Sequence, residues 1–593
     1  MTRRSAGVLL ALMFAVGCSD PSKPGPAAEG SGGKSAGKGG GDAGPPADGP
    51  PPAEQVIAVS IAGDGQLGAA AMEQAVAIPL EESVARVPGV TLVRSVSGAQ
   101  RVDADFTLAA RTDPTAAMGA IQAAVTAAAP RLPAGISPPE VRLRPARRVW
   151  LVASSETWTQ DAMASARDRI AAALARLTGV RSVVTCGTGD PVIRVLVDGR
   201  RLAALGLDLA RVQTELARAG ASGVRTIEDL AGAVIATAAS GAVVAVRDVA
   251  VVERGMSASP CAAQAGGRSA LSIEVGLDSG DAAATARFAE EVGAIAASLP
   301  QDARLVQLAP AGVVVELHVD PPAGIDPARM RALGESTAAK ISSVEGVTAV
   351  VVESGDLPAG AGSLAPLHAR ALVGVAAPAA AADRVIAAVT AAAQSPDASV
   401  RVTGPDAPAP ILIQGDDLEP LHEAAEAITA ALTSTPGVAA AGVSGAALVA
   451  RARVEPDRDR LAAHGLQPAD VAAAIALARN GARVGEMIEG DRRIPIRLEV
   501  AGQRSAMADP VAIAALLPSL RVRSAKKKGL VALSSLVAVT LASEPAHILR
   551  HQRRRAVEIW WRPAPDAPAD QEMAVRRAVD AVRLPAGIAV ARP

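Results

Sequence analysis

The chain is 593 residues long, 50% hydrophobic and close to neutral, with a formal net charge of −1 at pH 7. That length is too great for one hydrophobic core and calls for several domains. Near-neutrality excludes a global basic field for nucleic acid. An aromatic content of 1%, with no Tyr, three Phe and four Trp, excludes base-stacking platforms and aromatic cages.

Residues 1–18 read as a targeting segment. Arg3 and Arg4 are followed by the apolar run "AGVLLALMFAV" and by Gly17-Cys18 at a small-residue cleavage site. A cysteine there resembles a bacterial lipobox, which makes Cys18 the expected site of lipid attachment; an ordinary signal peptide is the alternative. Residues 19–53 form a Gly/Pro/Ser linker without apolar periodicity, about 30–35 Å long as a random coil. No later window approaches the roughly 18 apolar residues of a spanning helix. The mature chain is therefore expected in the cell envelope, periplasmic and lipid-anchored to a membrane.

The next elements come in a regular order. Apolar alternation predicts a strand over 56–62, and "IAGDGQLG" then places Gly63, Gly65 and Gly68 in a G-x-G-x-x-G turn. A helix over 66–86 carries an apolar stripe at Leu67, Ala71, Ala75, Ile78 and Val84, with Pro79 set to kink it. Strands over 90–97 and 101–110 follow as a hairpin, then a helix over 113–128 opened by Asp113-Pro114, then a strand near 138–144. This β-α-β-β-α-β order is the split βαβ of ferredoxin-like domains. It disfavours a dinucleotide site, because the strand after the helix turns back as a hairpin. Arg94 and Ser95 also stand where a ribose-binding acid belongs. Gly63 and Gly65 are then expected to serve a tight backbone turn.

The chain is internally duplicated. "DGRRLAALGLDLARVQTEL" (198–216) returns as "DRDRLAAHGLQPADVAAAI" (457–475), an offset of 259 from Asp198 to Asp457. Val87 and Val344, in "VPGV" and "VEGV", are 257 apart; Leu177 and Thr435, in "LTGV" and "TPGV", are 258 apart. Later anchors, Val243 to Leu530 and Leu299 to Leu584, have offsets of 287 and 285. The second half therefore holds roughly 27 extra residues between them.

Chemistry-bearing motifs are sparse. Cys186 and Cys261 flank segment 187–260 and are either a disulfide closing its ends or two separately buried thiols. His547 and His551 have an i, i+4 spacing without an acidic or thiol companion, and exposed loop positions are expected for them. Lys526-Lys527-Lys528 reads as a solvated hairpin tip. No G-x-S-x-G occurs. The expectation is a non-enzyme with no catalytic residue, cofactor or metal.

The motifs in series resemble those of resistance-nodulation-division (RND) efflux permeases of the hydrophobe/amphiphile type. The resemblance rests on Met72–Glu81, Val87–Val90, Ser95–Gly98, Thr112–Pro114 and Leu132–Pro139, which look like the first porter subdomain. The duplicated stretches look like docking subdomains, and "ILRHQRRRAVEI" is similar to the strand that follows. It implies an α+β fold of tandem ferredoxin-like porter subdomains with two docking subdomains. The implied boundaries are porter N1 over 54–145, N2 over 146–196 plus 265–310, and N-terminal docking over 197–264. In the second half they are porter C1 over 311–405, C2 over 406–450 plus 553–593, and C-terminal docking over 451–552.

Departures from the family pattern shape the functional expectation. A lipoprotein-like signal stands where the first membrane helix would be, and helices two to seven are missing near residue 310. The chain stops where the last five would begin, so no intramembrane proton relay is expected. Phe106 and Phe288 are the only phenylalanines after the targeting segment, too few for an aromatic drug trap. The step from "ARAG" to "TIEDL" leaves no room for the long hairpin with which trimeric pumps grip a neighbour. The implied role is an accessory or diverged component of a tripartite efflux system. Its partners would be a periplasmic adaptor (membrane fusion) protein, an outer-membrane channel or a full RND pump. The alternatives are a periplasmic lipoprotein binding small apolar ligands between porter subdomains, and a structural relic without transport.

Overall fold

The structure, a computed structural model, describes residues 55–591 except 64–66, 134, 222–223, 238–240, 258, 260, 311, 321–326, 356, 358–367, 376–378, 395–398, 404–407, 445–447, 491, 502–516, 528 and 565. The targeting segment, Cys18 and the linker lie outside the described residues.

Subdomain N1 comprises β1 (Val56–Ala62), β2 (Val90–Gly98), β3 (Arg101–Leu108) and β4 (Glu140–Leu143), in sheet order β2-β3-β1-β4. Alternation buries Ile57, Val59 and Ile61 of β1 on one face, where Phe106 and Ile121 complete the core. The first helix runs Ala69–Met72, takes a π-helical turn over Glu73–Ala77 and continues as Ile78–Val84. Pro79 has no N–H to give to the preceding turn. The π turn just before it lets the helix pass the proline instead of ending. Asp113 caps the second helix, Pro114–Ala128, by accepting from Thr115 N at 3.0 Å, as the Asp-Pro pair predicts.

In N2 the same unit is interrupted. β5 (Arg147–Ser155) and β6 (Val180–Cys186) lead out to docking strands β7 (Pro191–Val197), β8 (Val234–Thr237), β9 (Val243–Ala245) and β10 (Ala250–Met256). The chain returns through β11 (Cys261–Ala265) and β12 (Arg268–Ser269) to β13 (Leu271–Leu277) and β14 (Ala303–Gln307), closing a sheet of order β14-β5-β13-β6.

The second half repeats the plan. C1 holds β15 (Val313–Asp320), β16 (Val347–Gly355), β17 (His368–Val375) and β18 (Ser399–Thr403). C2 starts with β19 (Ile411–Gly415) and β20 (Val438–Ser444). The docking part follows as β21 (Leu448–Pro456), β22 (Ala482–Glu489), β23 (Arg492–Val500), β24 (Arg521–Arg523), β25 (Leu530–Ala532) and β26 (Val537–Pro545). β27 (His547–His551), β28 (Arg554–Pro563) and β29 (Ala589–Ala591) lead back into C2.

Among the described residues, three strand pairings tie the halves together. β27 pairs antiparallel with β2, fusing the N1 and C2 sheets into one of nine strands. β11 pairs antiparallel with β16, extending the C1 sheet. β7 pairs parallel with β23, giving a docking sheet of order β10-β7-β23-β22 drawn from both halves. Three stretches therefore sit on the other side of the boundaries drawn from sequence. β7 lies in the docking sheet rather than N2, β11 in the C1 sheet rather than the docking subdomain, and β27 in the porter sheet rather than the docking subdomain. The docking core is likewise common property, with Val212 and Leu216 packed among Val471, Ile496 and Leu498.

Candidate functional site

The chemistry of this molecule is concentrated at the seams between subdomains. At the N1–C2 seam, Glu73 and Glu81 project from the first helix into the protein and are 0% and 1% exposed. The β27–β28 hairpin, turned by Gln552 and Arg553 at positive φ, brings two arginines to them. Arg550 donates from Nη1 to Glu73 at 3.0 Å and from Nε to both oxygens of Glu81 at 3.1 Å. Arg555 grips Glu73 through Nε and Nη2 at 2.9 and 2.7 Å. Ser95 Oγ donates to Glu81. Burial pushes the Glu81 carboxyl above its ordinary range, with Ser95 and Arg550 pulling the other way. Carboxylates this deep are tolerated only because each meets a guanidinium with its hydrogen bonds made.

The N2–C1 seam uses the same chemistry. Arg148 of β5 donates to Glu316 of β15 at 2.8 Å, and its guanidinium lies 5.0 Å from the Trp150 ring centroid. Buried Arg370 of β17 donates to Glu353 at 2.6 Å and lies within 3.6 Å of both Glu316 and Glu274. Burial raises the Glu316 pKa against the pull of Arg148 and Arg370. Trp150 and Leu308 of N2 pack with Val351 and Leu372 of C1 beside this cluster.

A third bridge closes C1 on C2. Arg401 of β18 donates from Nη1 to Ser444 Oγ at 2.9 Å and to Glu558 of β28 at 3.0 Å, while Arg94 of N1 reaches the other Glu558 oxygen at 3.2 Å. The contact between C1 and C2 is thus polar and charged at this point.

In the docking sheet, Arg194 of β7 donates to Glu499 of β23 at 2.6 Å and to Glu253 of β10 at 3.0 Å. Gly220, in the helix Leu209–Ala221, has no room for a side chain: a Cβ there would lie 2.7 Å from Val484 O and 3.0 Å from Gly485 Cα. Two glycines thus let that helix press on the β22–β23 hairpin. The hairpin tip reaches N2 through Arg492, which donates to Ser165 at 3.0 Å, while Glu489 accepts from Arg254 of docking strand β10 at 2.7 Å.

Cys186 and Cys261 are joined as a disulfide with Cα atoms 5.5 Å apart, clipping the start of the docking excursion to its end. The expected loop histidines are a correction: His547 and His551 lie in strand β27, and His551 is buried. A segment that must join two sheets cannot be an exposed loop. Gln414 Nε2 donates to His551 O at 2.6 Å, and burial, then Arg94, lowers the His551 pKa. Four residues of strand separate the two histidines by about 13 Å, too far for one ion. Among the described residues no three His, Cys, Asp or Glu side chains are grouped to hold a metal.

Lys526 and Lys527 sit in the turn between β24 and β25, where Lys526 Nζ donates to Ala462 O at 2.8 Å at the end of the helix Arg458–His464; Lys528 lies outside the described residues. Of the glycine triad, Gly65 is not described. Gly63 does not take the left-handed conformation, and its missing side chain makes room for Met72 and Ile136; a Cβ at Gly68 would meet the Glu544 carboxylate. Close approach explains these two glycines, where sequence suggested turn geometry.

The sequence model of the AcrB/AcrD/AcrF family matches residues 50–223 and 375–591, more than half of the chain. The chain belongs to this family of RND efflux permeases. Two crystal forms of a heavy metal efflux pump share its fold, at TM-scores of 0.78 and 0.77 over 91% and 90% of this chain and 79% of each pump chain, with 14% sequence identity. Protein HelA of Legionella pneumophila is 30% identical over 149 residues, which is 25% of this chain and 14% of HelA. The RND permease fold accounts for the four split-βαβ subdomains and the paired docking subdomains. Sequence reasoning missed the Glu73–Glu81–Arg550–Arg555 cluster. Its signal was available: two glutamates on the apolar face of a helix among Met72, Val76, Leu80 and Val84 call for buried cations.

Proposed function

We propose that this RND-family chain serves as the porter-and-docking module of an efflux assembly in the cell envelope. It acts as an accessory or diverged component that engages an adaptor and an outer-membrane channel, with proton coupling supplied by a companion pump. The observation that carries this reading is the composite docking sheet, to which both halves contribute strands and one shared core. The Cys186–Cys261 disulfide and the Arg492–Ser165 and Arg254–Asp161 contacts link that sheet to N2, while seams of buried ion pairs hold the porter sheets to one another. Among the described residues no single helix is long and apolar enough to cross a membrane. One bent helix pair, Arg458–His464 with Pro468–Asn480, passes by composition, yet it packs Leu461 and Val471 into the docking core. In this reading a lipid on Cys18 and the linker tether the module to its membrane.

The test is co-purification of the tagged, full-length protein from its native envelope after mild cross-linking. Adaptor and channel proteins should be captured, and deletion of 453–540 should abolish the capture. Recovery of the folded protein without either partner would overturn the reading.

A further inference from the structure

The three seams use the same residue types, but their charges do not balance in the same way. At N1–C2, two buried carboxylates, Glu73 and Glu81, meet two guanidiniums, Arg550 and Arg555. At C1–C2, Glu558 and Asp320 meet Arg401 and Arg94, with Asp320 3.9 Å from Arg401. At N2–C1, three carboxylates, Glu274, Glu316 and Glu353, have only Arg148 and Arg370 as cationic partners among the described residues. The described groups of this seam therefore carry a formal charge of −1, where those of the other two sum to zero. Of the arginines and lysines after residue 54, only Arg504, Lys528 and Arg592 lie outside the described residues. By their places in the chain they belong to the docking part or to C2, not to this seam.

The extra charge sits where water does not reach it easily. Glu353, Arg370 and His318 stand in one cross-strand row of β16, β17 and β15, which Arg401 of β18 continues, and all four are buried. Glu316, also buried, lies on the same face of β15 two residues from His318. The groups around it are Arg148 from β5, Glu274 from β13, Glu353 from β16 and Arg370 from β17. His318 and Asp320 follow on its own strand, with Arg401 across from His318. Arg148 and Glu274 form the rim, their side chains 39% and 22% exposed. A carboxylate without a matching cation in such a place takes up a proton or draws water in. Burial, opposed by Arg148 and Arg370 and reinforced by Glu274 and Glu353, raises the Glu316 pKa and marks it as the group that takes the proton.

We propose that the N2–C1 seam is a proton-dependent latch, closed with one proton on Glu316 and loosened when that proton leaves as pH rises. The proton passes to solvent water at the rim, and no covalent bond changes. The stabilising contribution is present below the ordinary glutamate range and is lost as pH rises through the elevated value. Above that value the ratio of closed to open seam falls about tenfold per pH unit. Strand β11, paired to β16 and tied through Cys261 to β6, keeps N2 and C1 tethered while the latch is open. The proposal does not depend on the efflux reading.

The test uses the full-length protein with Trp158, Trp560 and Trp561 replaced by Phe, which leaves Trp150 as its sole tryptophan. Trp150 is buried at the seam beside Arg148, so its quenching by acrylamide, an uncharged probe, reports opening. Between about pH 5 and pH 9 the quenching should rise several-fold. Glu316→Gln should make it flat. Glu274→Gln, which leaves two carboxylates against two arginines, should also make it flat, a result that the charge count alone demands. Glu81→Gln in the balanced N1–C2 seam, His318→Gln and His368→Gln should each leave the rise in place. If the triple tryptophan variant does not fold, amide exchange over 147–155 in the otherwise native protein, corrected for the intrinsic pH dependence, reads the same opening. A parent without a pH response would overturn the proposal. So would a response that survives Glu316→Gln or Glu274→Gln, or one that is lost in Glu81→Gln or in either histidine variant.

Discussion

Replacing Arg550 with Met is the most informative perturbation of the N1–C2 seam. Glu73 keeps its bidentate partner Arg555, but Glu81, 1% exposed, is left with only the Ser95 hydroxyl. Breaking a buried pair by removing one partner costs about 3–5 kcal/mol, because the remaining charge stays buried. The loss should be local to the fused sheet, so global unfolding of a multidomain chain is the wrong readout. Amide exchange of residues 90–98 and 547–551 is the right one. A loss of about 3 kcal/mol speeds exchange from the opened seam roughly a hundredfold. Adding Glu81→Gln to the Arg550→Met variant removes the stranded charge and should recover much of the protection. Unchanged exchange in the single variant, or no recovery in the double variant, would refute the argument that these ion pairs hold N1 to C2.

The other seams give further expectations. Replacing Cys186 and Cys261 by Ser releases a closure of sequence separation 75 and should cost about 2–4 kcal/mol, read as a lower denaturation midpoint of the N2–docking junction under oxidising conditions. A Gly220→Val substitution drives a side chain into Val484 O and Gly485, so the β22–β23 hairpin should loosen at a cost of about 1–3 kcal/mol, seen as faster exchange over 482–500. The raised pKa of Glu316 gives the folded state a stabilising contribution that is present below the ordinary glutamate range and fades as pH rises through the elevated value. The stability deficit of Glu316→Gln, followed by Trp150 fluorescence, should therefore be largest in acid and shrink toward neutral pH.

Local elements were written plainly in the sequence. Alternation in "VIAVSIA" and the Asp113-Pro114 cap fix β1 and the second helix because both signals act within a few residues. The duplication likewise marked the docking helices, and the drift in its offsets announced an insertion in the second half. What the insertion pairs with was not legible. β23 finds β7 about 300 residues earlier in the chain, and β27 finds β2 across about 450 residues. No local pattern encodes a partner at that distance, since a strand edge presents the same backbone groups to any neighbour. "HILRH" illustrates the point: its two histidines drew attention as possible ligands, while Arg550 between them carries the seam. The family resemblance supplied the subdomain plan and the order of elements, but residue pairs such as Arg401–Glu558 had to be seen in place.

The most direct measurement is photo-cross-linking in the living cell from Val234 or Val243, which are exposed on the docking subdomain. The account predicts cross-links to an adaptor or an outer-membrane channel protein, lost when 453–540 is deleted and the composite sheet cannot form. A protein that is folded and exported yet forms no such cross-link at either docking position would contradict it.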